Sequence, residues 1–376
     1  MMNMNMNPFK NMTYKRTLAS ILAASLIVGA SPAAFGFPAM EKAAAATATA
    51  VQTYRVVPQP FIIDDYKYSI PTININGSTY IGIRSLNEKL GLDITWNVNS
   101  RTITLDGRGR KLTANPEDGS YVINGQKTYG DPALIYKGSA YVPLRFLLER
   151  MGYGISYEKG SKTVVINTIE ENELTVALGT IQDNNDKQTL LVNYPVIDDL
   201  KDKTVEEKIN TFLKQEAESY AAAGQKDLTK ATATNAAYIK KNPGTTFPKA
   251  TFEGVFNVTY NEQGRLSLYV DYYSYLGGAH GMTFRVPYTF DLGNGELLTL
   301  KEAADYNSKY LSIINASINK QIKERKLPLI APFDGIKSNR SFYLKHEGIA
   351  IAFEQYEYTS YAEGMPEFVT PFEAFE

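Results

Sequence analysis

Alternation of apolar and polar side chains is sharpest over residues 265–292, RLSLYVDYYSYLGGAHGMTFRVPYTFDL. Leu266, Leu268, Val270, Tyr272 and Leu276 fall on one side of an extended chain, and Tyr269, Asp271, Tyr273 and Tyr275 on the other. That is the period of a half-buried strand. Gly277, Gly278 and Gly281 then bracket Ala279 and His280 before a second alternating run over 283–292. The pattern predicts a hairpin with one apolar face, one tyrosine-bearing face and a glycine-rich connection that presents a histidine.

Read the same way, the rest of the C-terminal half predicts strands over 174–181 and 189–197. A helix follows, opened by a Thr204/Glu207 capping box and carrying Val205, Ile209, Phe212, Leu213 and Tyr220 along one side. Residues 224–249 are polar, alanine-rich and broken by Pro243, Gly244 and Pro248; part of this stretch is open to extending the helix. Further strands are predicted at 252–260 and, after a turn at 261–264, in the tyrosine hairpin. Beyond Gly293-Asn294-Gly295 come a helical segment at 300–305 and a helix marked by Tyr310, Ile313, Ile314, Ser317, Ile318 and Ile322, which is expected to cover the sheet. Strands at 342–345, 349–353 and 367–371 close the domain, with His346 in the turn between the first two.

The N-terminal half repeats itself. GSTYIGIRSLNEKLGLDITWNVNSRTITL (77–105) aligns without a gap on GSAYVPLRFLLERMGYGISYEKGSKTVVI (138–166), with identities at Tyr80/Tyr141, Arg84/Arg145, Glu88/Glu149 and Gly91/Gly152. Each copy predicts strand, short helix, strand, strand. Ile83, Leu86 and Leu90 recur as Leu144, Leu147 and Met151, one apolar stripe per helix, so both helices should pack on a sheet. Pro143 suits a helix start, and Gly91 and Gly152 suit left-handed C-caps. The Arg/Glu pairs four apart read as structural, worth about 0.2 to 0.5 kcal/mol each. The expected fold class is therefore α+β: a small repeated β-α-β-β domain, then an α+β module with an antiparallel sheet covered by helices.

A length of 376 residues implies two or three domains. Lys10, Lys15 and Arg16 precede an apolar run at 18–30, the pattern of a signal peptide. Residues 1–46 are read as signal and processing region, with cleavage open anywhere in 36–50, and 47–69 as linker; an uncleaved membrane anchor is the alternative. Export to the outside or the cell wall of a bacterium, with no membrane attachment after cleavage, is the expected localisation. The 39 Lys and Arg against 40 Asp and Glu argue against a nucleic-acid partner. With no cysteine, disulfides, thiolate metal sites and Cys nucleophiles are excluded. Two histidines, and no H-E-x-x-H, G-x-S-x-G or phosphate loop, lead us to expect no catalytic set, no metal and no cofactor.

INGSTY, IRSLNEKLG and ITWNVNSRTITL, repeated as YVPLRFLLERMG and ISYEKGSKTVVI over about 70–168, resemble the copper amine oxidase N-terminal-like stalk domain of Gram-positive envelope proteins. The resemblance implies a spacer or interaction module. It does not imply oxidation, whose copper needs three histidine ligands. YYSYLGGAHG, TFDLGNGELLTLKEAA and FYLKHEGIAIAFEQYEYTSYAEGMPEFVTPFEAF, within about 172–376, resemble the paired extracellular domains of lysozyme-sensing anti-sigma factors and of a peptidoglycan deacetylase, the RsiV and PdaC type. The two parts are placed at 172–250 and 251–376. The module is expected to stand here without the sigma-binding segment or the deacetylase catalytic domain.

The candidate ligand-binding residues are Tyr269, Tyr273 and Tyr275, joined by Gly277, Gly278 and His280 of the loop and by Tyr356, Tyr358 and Tyr361 of the terminal segment. The competing reading buries these rings under other elements. The expected function is a secreted, non-catalytic envelope protein that binds a cell-wall glycan or a wall-acting protein such as lysozyme. A peptidoglycan-modifying enzyme using carboxylates near His280, and a purely structural assembly protein, are the alternatives.

Overall fold

The computed structural model describes residues 53–376; the leader-like segment, its cleavage region and linker residues 47–52 lie outside the described residues. The chain opens with β1 (Val57–Ile63), β2 (Tyr66–Ile75) and β3 (Ser78–Gly82), then α1 (Ile83–Leu90), β4 (Asp93–Asn97) and β5 (Thr102–Gly107). It continues with β6 (Arg110–Ala114), β7 (Ser120–Ile123), β8 (Gln126–Tyr129), β9 (Leu134–Tyr136), β10 (Ser139–Pro143), α2 (Leu144–Arg150), β11 (Tyr153–Glu158) and β12 (Thr163–Thr168).

Both repeat copies form the strand, helix, strand, strand unit that their spacing predicts. The units then diverge. β4 and β5 start a five-stranded meander, β4-β5-β6-β7-β8, whereas β11 and β12 join a seven-stranded sheet, β11-β12-β1-β2-β3-β10-β9. Leu86 of α1 and Leu147 and Leu148 of α2 are fully buried with Ile103, Leu105, Leu112 and Ile166, so one core serves both sheets. Gly91 caps α1 at φ 64°, and Gly152 stands at φ 82° just past α2.

Residues 57–63 and 66–69, expected as linker, lie in strands joined by a tight turn at Asp64 and Asp65. β1 pairs with β2 along its whole length but reaches β12 only from Phe61 onward, so Pro58 and Pro60 lie where no second neighbour needs an N–H. Phe61 and Ile63 are buried against a strand a hundred residues later, a contact that local pattern does not announce. Of the two repeated ion pairs, Arg145 holds Glu149 at 2.6 Å and also Glu347 at 2.8 Å, while Glu88 approaches Lys89 at 3.9 Å.

The second half runs β13 (Thr175–Asn184), β14 (Gln188–Asp198), α3 (Lys203–Lys241), β15 (Ala250–Glu262), β16 (Arg265–Tyr275) and β17 (Met282–Asp291). α4 (Leu300–Ala303), α5 (Tyr310–Arg325), β18 (Tyr343–Lys345), β19 (Gly348–Ala352) and β20 (Glu367–Pro371) complete it. β13 to β17 form a sheet in sequence order, with β14 parallel to β15 across the α3 crossover. α3 lays Ile209, Leu213, Ala217, Ala221, Gly224 and Leu228 on Leu266, Leu268, Val270 and Tyr272, the apolar side of the alternating strand. Gly224 permits the closest approach: a Cβ there would lie 2.4 Å from the Phe252 ring. This stripe of small residues carries the helix through the polar stretch to residue 241.

Two expectations need correction. The cap of α3 is Asp202, which accepts from the Thr204 and Val205 amides, because an aspartate two positions earlier is the better acceptor; the reciprocal box occurs instead at Thr299 and Glu302. The three terminal strands do not extend the main sheet. They form their own sheet, β18-β19-β20, and α5 packs on that one, around Ile314, Ile318, Leu344, Ile351 and Phe368. The Leu344 amide donates to Ser267 Oγ at 2.9 Å, seating β18 on the polar face of β16. The fold class is α+β.

Candidate ligand-binding site

Strand register lays the polar face of β15, β16 and β17 out in rows: Thr251 beside Tyr275, then Glu253–Tyr273–Thr283, Val255–Asp271–Arg285 and Asn257–Tyr269–Pro287. β18 covers one end of this face. The N-terminal domain covers part of the rest, and between them a cleft of about 710 Å³ remains, walled by Arg108, Gln126, Tyr129 and Arg150 on one side and by the sheet rows on the other.

The inner end is a fixed polar network. Arg285 donates Nε and Nη2 to the two Asp271 oxygens at 2.8 and 2.7 Å, lies 3.6 Å over the Tyr269 ring and donates Nη1 to the Tyr343 hydroxyl at 3.0 Å. The Tyr343 hydroxyl donates to Glu367, which holds Lys345 at 3.1 Å, and Lys345 reaches Glu149 of α2 at 3.3 Å. Burial works against charge on Arg285, but Asp271 outweighs it and holds the guanidinium more firmly protonated than usual. Burial pushes the Tyr269 and Tyr343 phenols up. Tyr269 is therefore not a displayed ring; it is the floor on which Arg285 and Tyr343 pack.

The outer end gathers most of the other candidates. A Cβ at Gly281 would stand 2.3 Å from the Tyr273 ring, so that ring lies directly on the Gly281 backbone. His280 stacks on Tyr361 at 4.1 Å and places Nε2 3.2 Å from the Tyr356 hydroxyl. Tyr275 donates to the Gly278 carbonyl at 3.2 Å. Gly277 has φ +93°, and a Cβ on it would meet Asn235 of α3 at 2.9 Å, so both conformation and space require glycine. Tyr356 is the most open of these rings, 46% exposed.

Tyr273 connects the two ends. Burial raises its phenol, and Tyr361, Glu253 and Tyr275 act on it in the same direction. Burial also raises the Glu253 carboxyl, against the opposing pull of Lys127. Tyr358 does not belong to this cluster. It packs on Phe353 and Phe333, and its phenol, hydrogen-bonded to Asp334, is pushed up to about 12. The segment between β19 and β20 is turns and one 3-10 turn, Tyr361–Glu363, so residues two apart there do not share a face.

Several lining residues carry no strong motif. The Gln126 amide exchanges two hydrogen bonds with the Phe256 backbone, 2.8 and 3.0 Å, on the edge of β15 that opens where β14 pairing ends at Gly254. Glu171 holds Arg110 at 2.6 Å and Arg108 at 3.1 Å across the interdomain joint; burial opposes its ionisation, but the two arginines keep it below the usual carboxylate range. Arg150 was readable only as a cation in the last turn of α2, equivalent by repeat to Lys89. Among the described residues no group of three or more His, Cys, Asp or Glu is placed to hold a metal ion.

Three family models match the chain in series. Residues 62–166 match the copper amine oxidase N-terminal domain, 181–283 match deacetylase PdaC, and 301–373 match a family of unknown function, DUF3298. No curated protein matches. Among solved structures, a DUF3298-family protein of Bacteroides fragilis is 18% identical, with 54% of this chain and 93% of that one covered at a TM-score of 0.40. One of Pseudomonas aeruginosa is 17% identical, with 55% and 92% covered at a TM-score of 0.36.

The cleft is lined by residues of the first two matched parts, among them Arg150 of the copper amine oxidase-type part and Tyr273 of the PdaC-type part, and a smaller cavity that Arg150 also lines adds Lys345 and Glu367 of the DUF3298-type part. A second joint, where His346 of the third part meets Glu262 of the second and Gly154 of the first, carries an ionisable pair. His346 Nδ1 lies 2.9 Å from Glu262, and its ring occupies the space a Cβ on Gly154 would need. The Glu262 hydrogen bond raises His346 above the ordinary 6.5, against burial and with Glu347 assisting. A raised folded-state value means the stabilisation is complete below about pH 6.5 and is lost as pH climbs through the raised value. His346→Gln should cost about 0.5 to 1 kcal/mol at pH 6 and nothing well above that value, by urea titration across a pH series. A pH-independent gap would exclude the ion pair as its source.

Proposed function

We propose that this chain is an envelope-associated, non-catalytic protein that binds a cell-wall glycan along the groove running from the aromatic cluster into the cleft. The observation that carries the reading is Tyr273: it stands on Gly281, next in the chain to the His280 that stacks on Tyr361, and shares a sheet row with Glu253 and Thr283 of the cleft. A sugar ring has an apolar face for an aromatic ring and a rim of hydroxyls that need polar partners, and this groove offers both in sequence. Envelope placement is supported by the PdaC and DUF3298 matches and by the leader-like pattern of residues 10–30. A binding role is supported by the engagement of the lining acids: Asp271, Glu149, Glu171 and Glu262 each hold a cationic side chain, which leaves Glu253 without a second free carboxylate to work with.

The test is retention on insoluble peptidoglycan, with lysozyme-coupled resin in parallel. Peptidoglycan is expected to retain the protein, and Tyr273→Ala with Tyr361→Ala to weaken retention about tenfold. Retention by lysozyme alone moves the ligand to a protein, and altered muropeptides after incubation replace binding with catalysis.

A further inference from the structure

Of the arginines along the cleft, Arg108 and Arg110 are held by Glu171, and Arg285 by Asp271. Arg150 is different. Its Nη1 donates to the Phe146 carbonyl at 2.9 Å and its guanidinium lies 3.9 Å over the Phe146 ring, with no carboxylate within 4.0 Å among the described residues. The nearest candidate on its own helix, Glu149, is held by Arg145 at 2.6 Å and Lys345 at 3.3 Å. A guanidinium has five N–H donors in a fixed fork, and the one hydrogen bond leaves most of those donors to be met by a ligand in the cleft that Arg150 lines. Arg150 lines both the main cleft and the smaller cavity beside it, and it sits near the Asp271–Arg285 row. Burial disfavours its charge, and it is a cost that an incoming anion offsets.

We propose that the cleft recognises an acidic ligand and that Arg150 receives its carboxylate. The proposal rests on the glycan reading and narrows it to sugars that bear a carboxylate, whether on the sugar itself or at the end of an attached peptide. Rings of the polymer would lie over Tyr273, Tyr361 and His280, with the acid carried inward past Glu253.

Calorimetry on the full chain uses three probes: a tetrasaccharide of alternating N-acetylglucosamine and N-acetylmuramic acid with free lactyl carboxylates, its methyl ester, and the same sugar amide-linked to a short peptide with a free terminal carboxylate. An acid probe is expected to bind about tenfold to a hundredfold more tightly than the ester, with the preference shrinking at high salt and vanishing in Arg150→Gln. The free lactyl acid winning places the charge on the sugar, and the peptide-bearing probe winning places it at the stem. Equal binding of acid and ester overturns the proposal while the glycan reading stands. Binding of none of the three removes both. Should Arg150→Gln not fold, the acid and ester comparison on the unaltered protein still decides.

Discussion

Arg285→Leu is expected to destabilise the protein by about 2 to 3 kcal/mol, the cost of leaving a partly buried Asp271 without its partner, discounted from the 3 to 5 of a fully buried pair. The side chains of Arg285 and Asp271 are 13% and 25% exposed, so solvent relieves only part of the loss. The effect should spread beyond the pair. Arg285 covers Tyr269 at 3.6 Å and bonds Tyr343, which in turn fixes Glu367, Lys345 and Glu149, so a single chain of charge leads from the sheet to α2. Arg285→Lys retains the charge but not the two-pronged contact and should fall between leucine and wild type. Urea unfolding followed by circular dichroism measures the loss, and proteolysis at the joint around Glu171 reports loosening. A leucine variant as stable as wild type would mean the network contributes nothing.

How much of this was open to reading depends on range. The alternation of Leu266, Leu268, Val270 and Tyr272 against Tyr269, Asp271, Tyr273 and Tyr275 appears in the structure as read, because strand periodicity is local. The repeat likewise predicts both β-α-β-β units. Where each hairpin pairs next is set by partners far along the chain, so the two sheets are not legible from the repeat. The cleft fails for the same reason. Tyr273 was visible as a ring on a polar face, but Glu253 and Thr283 become its neighbours only through register across three strands, and Arg150 enters from another domain. Tyr358 lies in a segment of turns where no periodicity tells which way a side chain faces, and Tyr269 shows that a polar face can be covered by polar groups as well as by water. The alanine-rich half of α3 shows a third limit: a helix packed through Ala217, Ala221 and Gly224 has too little apolar contrast to stand out by composition.

Gly281→Ala is expected to weaken glycan binding about tenfold although it removes no contact group, because its effect is to displace a ring. The Gly281 backbone lies outside the left-handed region, so alanine is tolerated there conformationally, and what its Cβ meets is the outer edge of Tyr273, 2.3 to 2.4 Å away at Cε2, Cζ and the hydroxyl. Those atoms have to swing away, and the only structure lost is the position of the phenol in its sheet row with Glu253 and Thr283. Stability should therefore change little while binding falls. The decisive measurement is a double-mutant cycle. In a Tyr273→Ala background there is no ring to displace, so adding Gly281→Ala should leave the affinity for peptidoglycan fragments where Tyr273→Ala alone puts it. If the two losses add instead, Gly281 acts through the loop backbone and His280, and the groove is read from the histidine side. Near-additivity together with intact folding would thus transfer the recognition role from Tyr273 to the loop, while a silent second substitution ties the glycine and the ring into one contact surface.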